Sequence, residues 1–276
     1  MSVGGGQRND RNRKQKQSAA AARAVAAARG SKKDRSRLVV AIIVVVVIAG
    51  AVIGGVLYEQ HKASVASQTV IPALTVSGSS KYPVSVDKTA ATVLVGQPNA
   101  KVTVDLYEDF RCPICGDFES TNFDNIEKQL EAGAIKVRYH MINLLDNSNN
   151  PGDYSVMSAN TALAVATVAP GKFIDYHYSL FHKQPAEGVQ GWSQAQLSNL
   201  ANRLGVSGSQ FDTLVNNKTY NNQINTNLNT AENDKSLWQT SSSGTGFGTP
   251  TVVSGGKTIN WQQDGTWLSD LVKAAA

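Results

Sequence analysis

The sequence predicts an α/β domain in which a βαβ unit, an all-helical insertion and a closing ββα unit follow one membrane-spanning helix. Three observations predict it. The apolar period changes from two to 3.6 at Cys112-Pro113-Ile114-Cys115 and returns to two near Ile135, the pattern of strand, helix, strand. Between about 154 and 237 the chain reads as helices only, and it ends on two short strand signals and an amphipathic helix. Residues 38–57 form an uncharged apolar run of twenty.

From the N-terminus, residues 1–37 hold eleven Lys and Arg against Asp10 and Asp34, a net of +9 that leaves −4 for the other 239 residues of a chain whose total is +5. The basic character belongs to this tail. Twenty residues at about 1.5 Å each cover a hydrocarbon core of about 30 Å, so 38–57 is expected to cross the plasma membrane once. The cationic flank places the N-terminus in the cytoplasm and everything after residue 57 outside. The cysteines then face an oxidising compartment. A cleaved signal peptide, with Ser64-Val65-Ala66 at its end, is the rival reading, but an apolar core of twenty exceeds the roughly 7–15 residues of such peptides. A tail that fixes topology is favoured over one that binds RNA or lipid, and no nucleic-acid partner is expected. Residues 58–84, rich in Ser, Val, Ala and Thr without periodicity, are expected as an extracytoplasmic tether, and 85–276 as one domain with a substantial core.

Residues 101–107 (KVTVDLY) alternate as a strand, with Val102, Val104 and Leu106 on one face. From 113 to about 131, Ile114, Phe118, Phe123, Ile126 and Leu130 fall on one helical stripe. Ile135, Val137, Tyr139 and Met141 alternate again, so the pair of strands joined through a helix is expected to be parallel with a right-handed crossover. In the insertion, Ala162, Leu163 and Ala166 begin one helix and residues 173–181 another. A third opens at Ser193, whose spacing to Gln196 is a capping box, and stops at Gly205. A helix among the asparagines of 215–233 is expected as well. Thr251 to Val253 and Thr258 to Trp261 flank Ser254-Gly255-Gly256-Lys257, a hairpin signal, and Trp267, Leu268, Leu271 and Val272 mark the last helix.

Cys112 and Cys115 are the only cysteines in 276 residues, so neither has another partner for a staple. They sit where the strand gives way to the helix. Unpaired N–H groups and the positive end of the helix dipole stabilise a thiolate at Cys112, whereas Cys115 lies one turn inside. Pro113 suits a first helical turn, which needs no N–H from it. The first cysteine can therefore exchange with a client disulfide or thiol, and the second resolves the mixed disulfide.

The residues E-D-F-R-C-P-I-C (108–115) and G-T-P-T (248–251) resemble the thioredoxin superfamily, and within it the DsbA-like proteins of bacterial cell envelopes. The resemblance spans about 97 to the end, and the basic tail and anchor look like an actinobacterial membrane-tethered version. It implies a thioredoxin fold, Cys112 and Cys115 as the active pair, and Pro250 as a cis-proline facing them. Thr249 and Pro250 would then present backbone to a client, with Thr249 able to hydrogen-bond near the sulfur. It also implies exported cysteine-containing proteins as clients and a membrane reoxidising partner of the DsbB or vitamin K epoxide reductase (VKOR) type. Related folds place a buried acid under the second cysteine as a proton shuttle, and Asp105 is the nearest candidate, weighed evenly against an exposed edge-strand carboxylate. Where the strongly oxidising DsbA enzymes carry His, this chain has Ile114, which speaks against a potent oxidant.

The expected function is extracytoplasmic thiol–disulfide exchange, disulfide-forming in direction. A reductase of the same fold and a non-catalytic binding or sensor module are the alternatives. Arg111 either lends cationic stabilisation to Cys112 or points into solvent. Glu108 and Asp109 read as solvated loop carboxylates. His177 and His182 lie too far from Cys115 for a compact zinc site, and neither a metal nor a cofactor is expected.

Overall fold

The computed structural model describes residues 70–147, 149–241 and 244–276. The basic tail, the apolar run at 38–57 and the tether up to residue 69 lie outside them. Among the described residues no helix is long and apolar enough to cross a membrane.

The chain enters through two strands that the sequence did not announce, Val84–Asp87 (β1) and Thr92–Gly96 (β2). It then builds the βαβ unit from Val102–Glu108 (β3), Pro113–Glu131 (α1) and Ile135–Met141 (β4). The insertion comprises Tyr154–Val168 (α2), Phe173–His182 (α3), Gln194–Arg203 (α4), Ser209–Asn216 (α5) and Asn221–Asn233 (α6). A small hairpin of Gln239–Ser241 (β5) and Gly244–Gly246 (β6) precedes Thr251–Ser254 (β7), Lys257–Thr258 (β8) and Trp267–Ala275 (α7).

The main sheet runs β1-β2-β4-β3-β7-β8. Its central pair, β3 and β4, is parallel with Val104 opposite Val137 and Leu106 opposite Tyr139, as a connection through a helix requires. The other pairings are antiparallel. Alternation decides the faces: Val102, Val104, Leu106 and Glu108 of β3 are buried together with Ile135, Val137, Tyr139 and Met141 of β4, while Asp105, Tyr107, Arg138 and His140 share the other, half-covered face. Helix α1 lays Cys115, Phe118, Phe123, Ile126 and Leu130 on the core. Phe118 meets Trp261 edge-on at 5.0 Å and Trp267 at 6.3 Å, tying α1 to the C-terminal elements.

Several elements differ from expectation. Ile114 does not join the buried stripe; it is 41% exposed, because the stripe starts one residue later at Cys115. Helix α2 begins at Tyr154, well before Ala162, and is buried on almost every side, so it carries no apolar stripe to mark its start. The Asn-rich stretch is two helices, broken where Lys218 takes φ +50°. The capping box at Ser193 and Gln196 is present with both of its hydrogen bonds. Gly255 and Gly256 both have positive φ, the two-residue hairpin turn, but β8 is shorter than the strand expected up to Trp261. Residues from 71 onwards, within the stretch expected as tether, already pack on the domain. Ile71 is buried, and Arg203 on α4 donates to its carbonyl at 2.9 Å.

Candidate active site

Strand β3 ends against the core, and residues 109–111 turn the chain into α1. The turn is held by Asp109: its Oδ1 accepts the Arg111 N–H and its Oδ2 the Leu145 N–H, each at 2.8 Å, while its carbonyl accepts the Cys112 N–H at 3.0 Å. Cys112 is the N-cap of α1 with extended φ and ψ, and Pro113 occupies the first helical position, where its missing N–H costs nothing. The Cys112 carbonyl accepts the N–H groups of Cys115 and Gly116 and the side-chain amide of Gln184, the last at 2.7 Å. Both cysteines are thiols. Cys112 is 6% exposed and Cys115 fully enclosed, so one sulfur is reachable and the other is not.

The Thr249-Pro250 bond is cis. It places the Thr249 carbonyl 3.2 Å from Cys112 Sγ, which donates to it. The contact belongs to the backbone; the Thr249 hydroxyl is buried without a partner. Beside the thiol lies a groove lined by Ile114, Gln239, Phe247, Thr249, Pro250 and Trp261, part apolar and part backbone.

The two thiols are driven apart in acidity. Cys112 is lowered from 9.0 to about 6, first by the hydrogen bond from the Cys115 thiol and then by the N–H groups of Cys115 and Ile114 at the helix start, against the opposing effect of burial. Cys115 is pushed well above the ordinary thiol value by burial and by its neighbour Cys112. One sulfur is thus poised as nucleophile and leaving group and the other as a protonated reserve, the asymmetry that thiol–disulfide exchange uses.

The carboxylate expected behind Cys115 is not Asp105. That side chain lies on the half-covered face of β3, bound to Arg138 Nη1 at 2.7 Å and to His140 Nε2 at 2.9 Å, and these partners hold it below the usual carboxylate range despite burial. Glu108 takes the position instead. It continues the buried phase of Val104 and Leu106, is 3% exposed, and its charge is felt by Cys115. Burial holds it well above the usual range. Neither Glu108 nor Asp109 is a solvated loop carboxylate, and burial pushes Asp109 up to about 7.

Arg111 does not reach solvent either. It is fully buried, donating to the carbonyls of Val189 (2.9 Å) and Pro151 (3.4 Å) with its guanidinium over the Tyr154 ring at 5.2 Å, so its charge is directed into the insertion and not at Cys112. His177, set aside in the sequence, stands behind the thiols. Its Nε2 lies 3.1 Å from Glu108 Oε2 and its Nδ1 4.0 Å from Glu119 Oε2. These three side chains bring possible donor atoms within 4.8 Å of one another. His177 Nε2 is already engaged by Glu108 and all three are sealed from solvent, which suits proton handling better than metal capture.

Comparison with known proteins agrees with this geometry. The family model described as Thioredoxin matches residues 88–274. The serine/threonine-protein kinase PknE of Mycobacterium tuberculosis is 27% identical over 187 residues, covering 65% of this chain and 31% of that protein, so the chain spans about a third of the length of the curated relatives it matches. Reduced DsbA from M. tuberculosis superposes with a TM-score of 0.55 at 27% identity, covering 70% of this chain and 91% of the other. The reduced form of DsbG, a disulfide bond oxidoreductase from the same organism, gives 0.55 at 30% identity, covering 72% and 88%. With the cysteines at the start of α1, the cis-proline opposite and the helical insertion between them, the chain belongs to the thioredoxin family, on its DsbA-like side.

Proposed function

We propose that this protein is an extracytoplasmic thiol–disulfide oxidoreductase that forms disulfides in exported proteins, working through Cys112 as the exchanging sulfur and Cys115 as the resolving one. The observation that carries the reading is the divergent acidity of two thiols at one helix start. A Cys112 held at about 6 instead of 9.0 stabilises the reduced pair at neutral pH by ~1.4 kcal/mol, or ~30 mV for a two-electron couple. The sign is oxidising. The groove beside the cis-proline offers the Thr249-Pro250 backbone and an apolar wall to an extended client segment.

The +9 tail and the run at 38–57 support a single-pass anchor in the plasma membrane with the catalytic domain outside. A disulfide-forming enzyme there needs reoxidation, which a DsbB- or VKOR-like membrane protein would supply. Ile114 favours a second reading, since an aliphatic side chain at that position adds nothing to the Cys112 thiolate; in that case electrons run the other way and the protein reduces clients.

The reduction potential of the pair against glutathione decides between them. A value near the ~−120 mV of DsbA supports the oxidase and one near the ~−270 mV of thioredoxin the reductase. Replacing Cys112 by Ser must abolish exchange with a model disulfide, and Cys115→Ala must trap client proteins on Cys112. Undiminished turnover in the Cys112→Ser protein would remove catalysis from the reading.

A further inference from the structure

We propose that His177 and Glu119 complete a buried proton relay with Glu108 behind the thiol pair, so that the helical insertion, through His177 on α3, governs the proton of Cys115. The inference rests on the thiol–disulfide exchange reading.

The three side chains come from three elements, Glu108 from β3, Glu119 from α1 and His177 from α3, and none is more than 3% exposed. His177 Nδ1 is buried with no hydrogen-bond partner, and Glu108 Oε1 and the Glu119 carboxyl oxygens have none unless the two acids share a proton, which their mutual approach allows. The imidazole is enclosed by the rings of Phe110, Tyr139, Phe173 and Phe181, at centroid distances of 5.5, 4.8, 5.6 and 4.9 Å. Polar atoms so sparsely paired in an aromatic shell are costly unless they do chemistry. The ionisable groups around the trio are the Cys112 thiol, whose charge raises Glu108, the Cys115 thiol, whose ionisation Glu108 opposes, and the Tyr139 hydroxyl on β4, whose ionisation both carboxylates oppose. Among the described residues no Lys or Arg is paired with it.

Without a cation, the enclosed trio is held most cheaply at zero net charge. Two protons distributed over three bases satisfy that in two ways. Either both carboxyls are protonated around a neutral imidazole, or an imidazolium stands between one carboxylate and one carboxylic acid. The two forms differ by one proton moved across the 3.1 Å contact between Glu108 Oε2 and His177 Nε2. Glu108 can thus be presented to Cys115 as acid or as base.

Both are needed. When a client thiolate attacks Cys112 Sγ, the client–Cys112 bond forms, the Cys112–Cys115 bond breaks, and Cys115 leaves as a thiolate that takes the Glu108 proton. A second client thiolate then attacks the client sulfur and releases Cys112 as thiolate; the client has lost two electrons and the pair has gained them. In recycling, the Cys112 thiolate attacks a disulfide of the membrane oxidant and expels one of its sulfurs as thiolate; Glu108 as carboxylate then takes the Cys115 proton, and the resulting thiolate displaces the other oxidant sulfur from Cys112, leaving the pair oxidised and the oxidant reduced by two electrons.

The test uses the full chain carrying glutathione on Cys112, with release of glutathione by Cys115 followed across pH. His177→Phe, which suits the aromatic shell, and His177→Gln and Glu119→Gln, which keep polar volume, are compared with the unaltered protein after denaturant melts establish that each is folded. Release at neutral pH is expected to fall ~10- to 100-fold in His177→Phe, at or below the ~100-fold lower end of general acid–base contributions because Glu108 itself is kept, and less in the Gln variants. The limb of the pH profile on the acid side should move in all three, while alkylation of Cys112 in the reduced proteins changes by no more than about twofold. Unchanged release and an unchanged profile in folded His177→Phe and His177→Gln would overturn the relay, as would a stoichiometric, chelator-removable metal in the unaltered protein. If the unaltered protein forms no glutathione adduct at Cys112 at all, the exchange reading falls first and the relay with it.

Discussion

Replacing Cys115 by Ala examines the acidity of Cys112 directly, because only one thiol is left to titrate. Cys112 is lowered from 9.0 to about 6, which corresponds to ~4 kcal/mol in favour of the thiolate. The foremost cause is the hydrogen bond from the Cys115 thiol. A hydrogen bond to a charged acceptor contributes ~1.5–3 kcal/mol, or about one to two pH units, so Cys115→Ala should bring Cys112 to ~7–8. At neutral pH the thiolate fraction then drops from ~nine-tenths to between ~one-half and ~one-tenth, and alkylation by iodoacetamide slows ~2- to 10-fold. Thiolate ultraviolet absorbance against pH, read alongside the alkylation rate, measures both. Cys115→Ser, which keeps a hydroxyl donor, should fall between. If Cys115→Ala titrates where the unaltered protein does, the N–H groups and dipole of α1 carry the whole effect and the reasoning about the neighbouring thiol is refuted.

Ile114→His would place an imidazole on the exposed rim of the helix start; when protonated it should lower Cys112 by less than about one pH unit and raise the potential by ~6–20 mV, the scale of a charge at a helix end, and no change or a rise in the Cys112 titration contradicts this. Arg111→Met removes donors to Val189 and Pro151 and should cost ~1–3 kcal/mol in denaturant unfolding; a Cys112 titration displaced by more than about half a pH unit would show that the guanidinium does reach the thiolate. Asp109 is raised by burial from 3.8 to about 7. The fold therefore favours its protonated form, its stabilising contribution is complete below the unfolded value, and it is lost as pH climbs from there to about 7. The difference in unfolding free energy between the unaltered protein and Asp109→Asn should accordingly shrink or reverse across that window by up to ~4 kcal/mol, and a pH-independent difference would show that Asp109 is not the group responsible.

What the sequence shows and what it hides follows from burial. Strands β3 and β4 alternate and α1 carries a stripe because each presents one well-covered face, so the βαβ unit is legible residue by residue. Helix α2 is wrapped on nearly all sides and shows only small apolar residues, which mark a helix without marking its start. Strands β1 and β2 are short, and β1 directly follows a segment whose Ser and Thr content resembles linker. The cysteines and the cis-proline are legible because their chemistry imposes residue types at fixed spacing. The charged residues were harder. Asp105 looked useful because carboxylates are unusual in strands, yet parity alone would have favoured Glu108, which shares the phase of Val102, Val104 and Leu106. His177 offered no such signal: its role depends on α3 packing against the end of β3, a contact between residues 69 positions apart. Arg111 likewise finds its acceptors at Pro151 and Val189, which no local pattern reveals.

Asp175, on the same helix as His177, ties down the stretch that leads into the sheet. Its Oδ1 takes the Val76 N–H at 3.0 Å and the Ser79 hydroxyl at 2.8 Å, while Ser179 receives the Leu74 N–H at 3.0 Å. Residues 71–79 are thus fastened to α3 and α4 before the polypeptide reaches β1. A pull applied ahead of residue 70 would be borne first by those helices, and the fastening at Ile71 and Asp175 would have to give before strain reached the loop that carries Cys112.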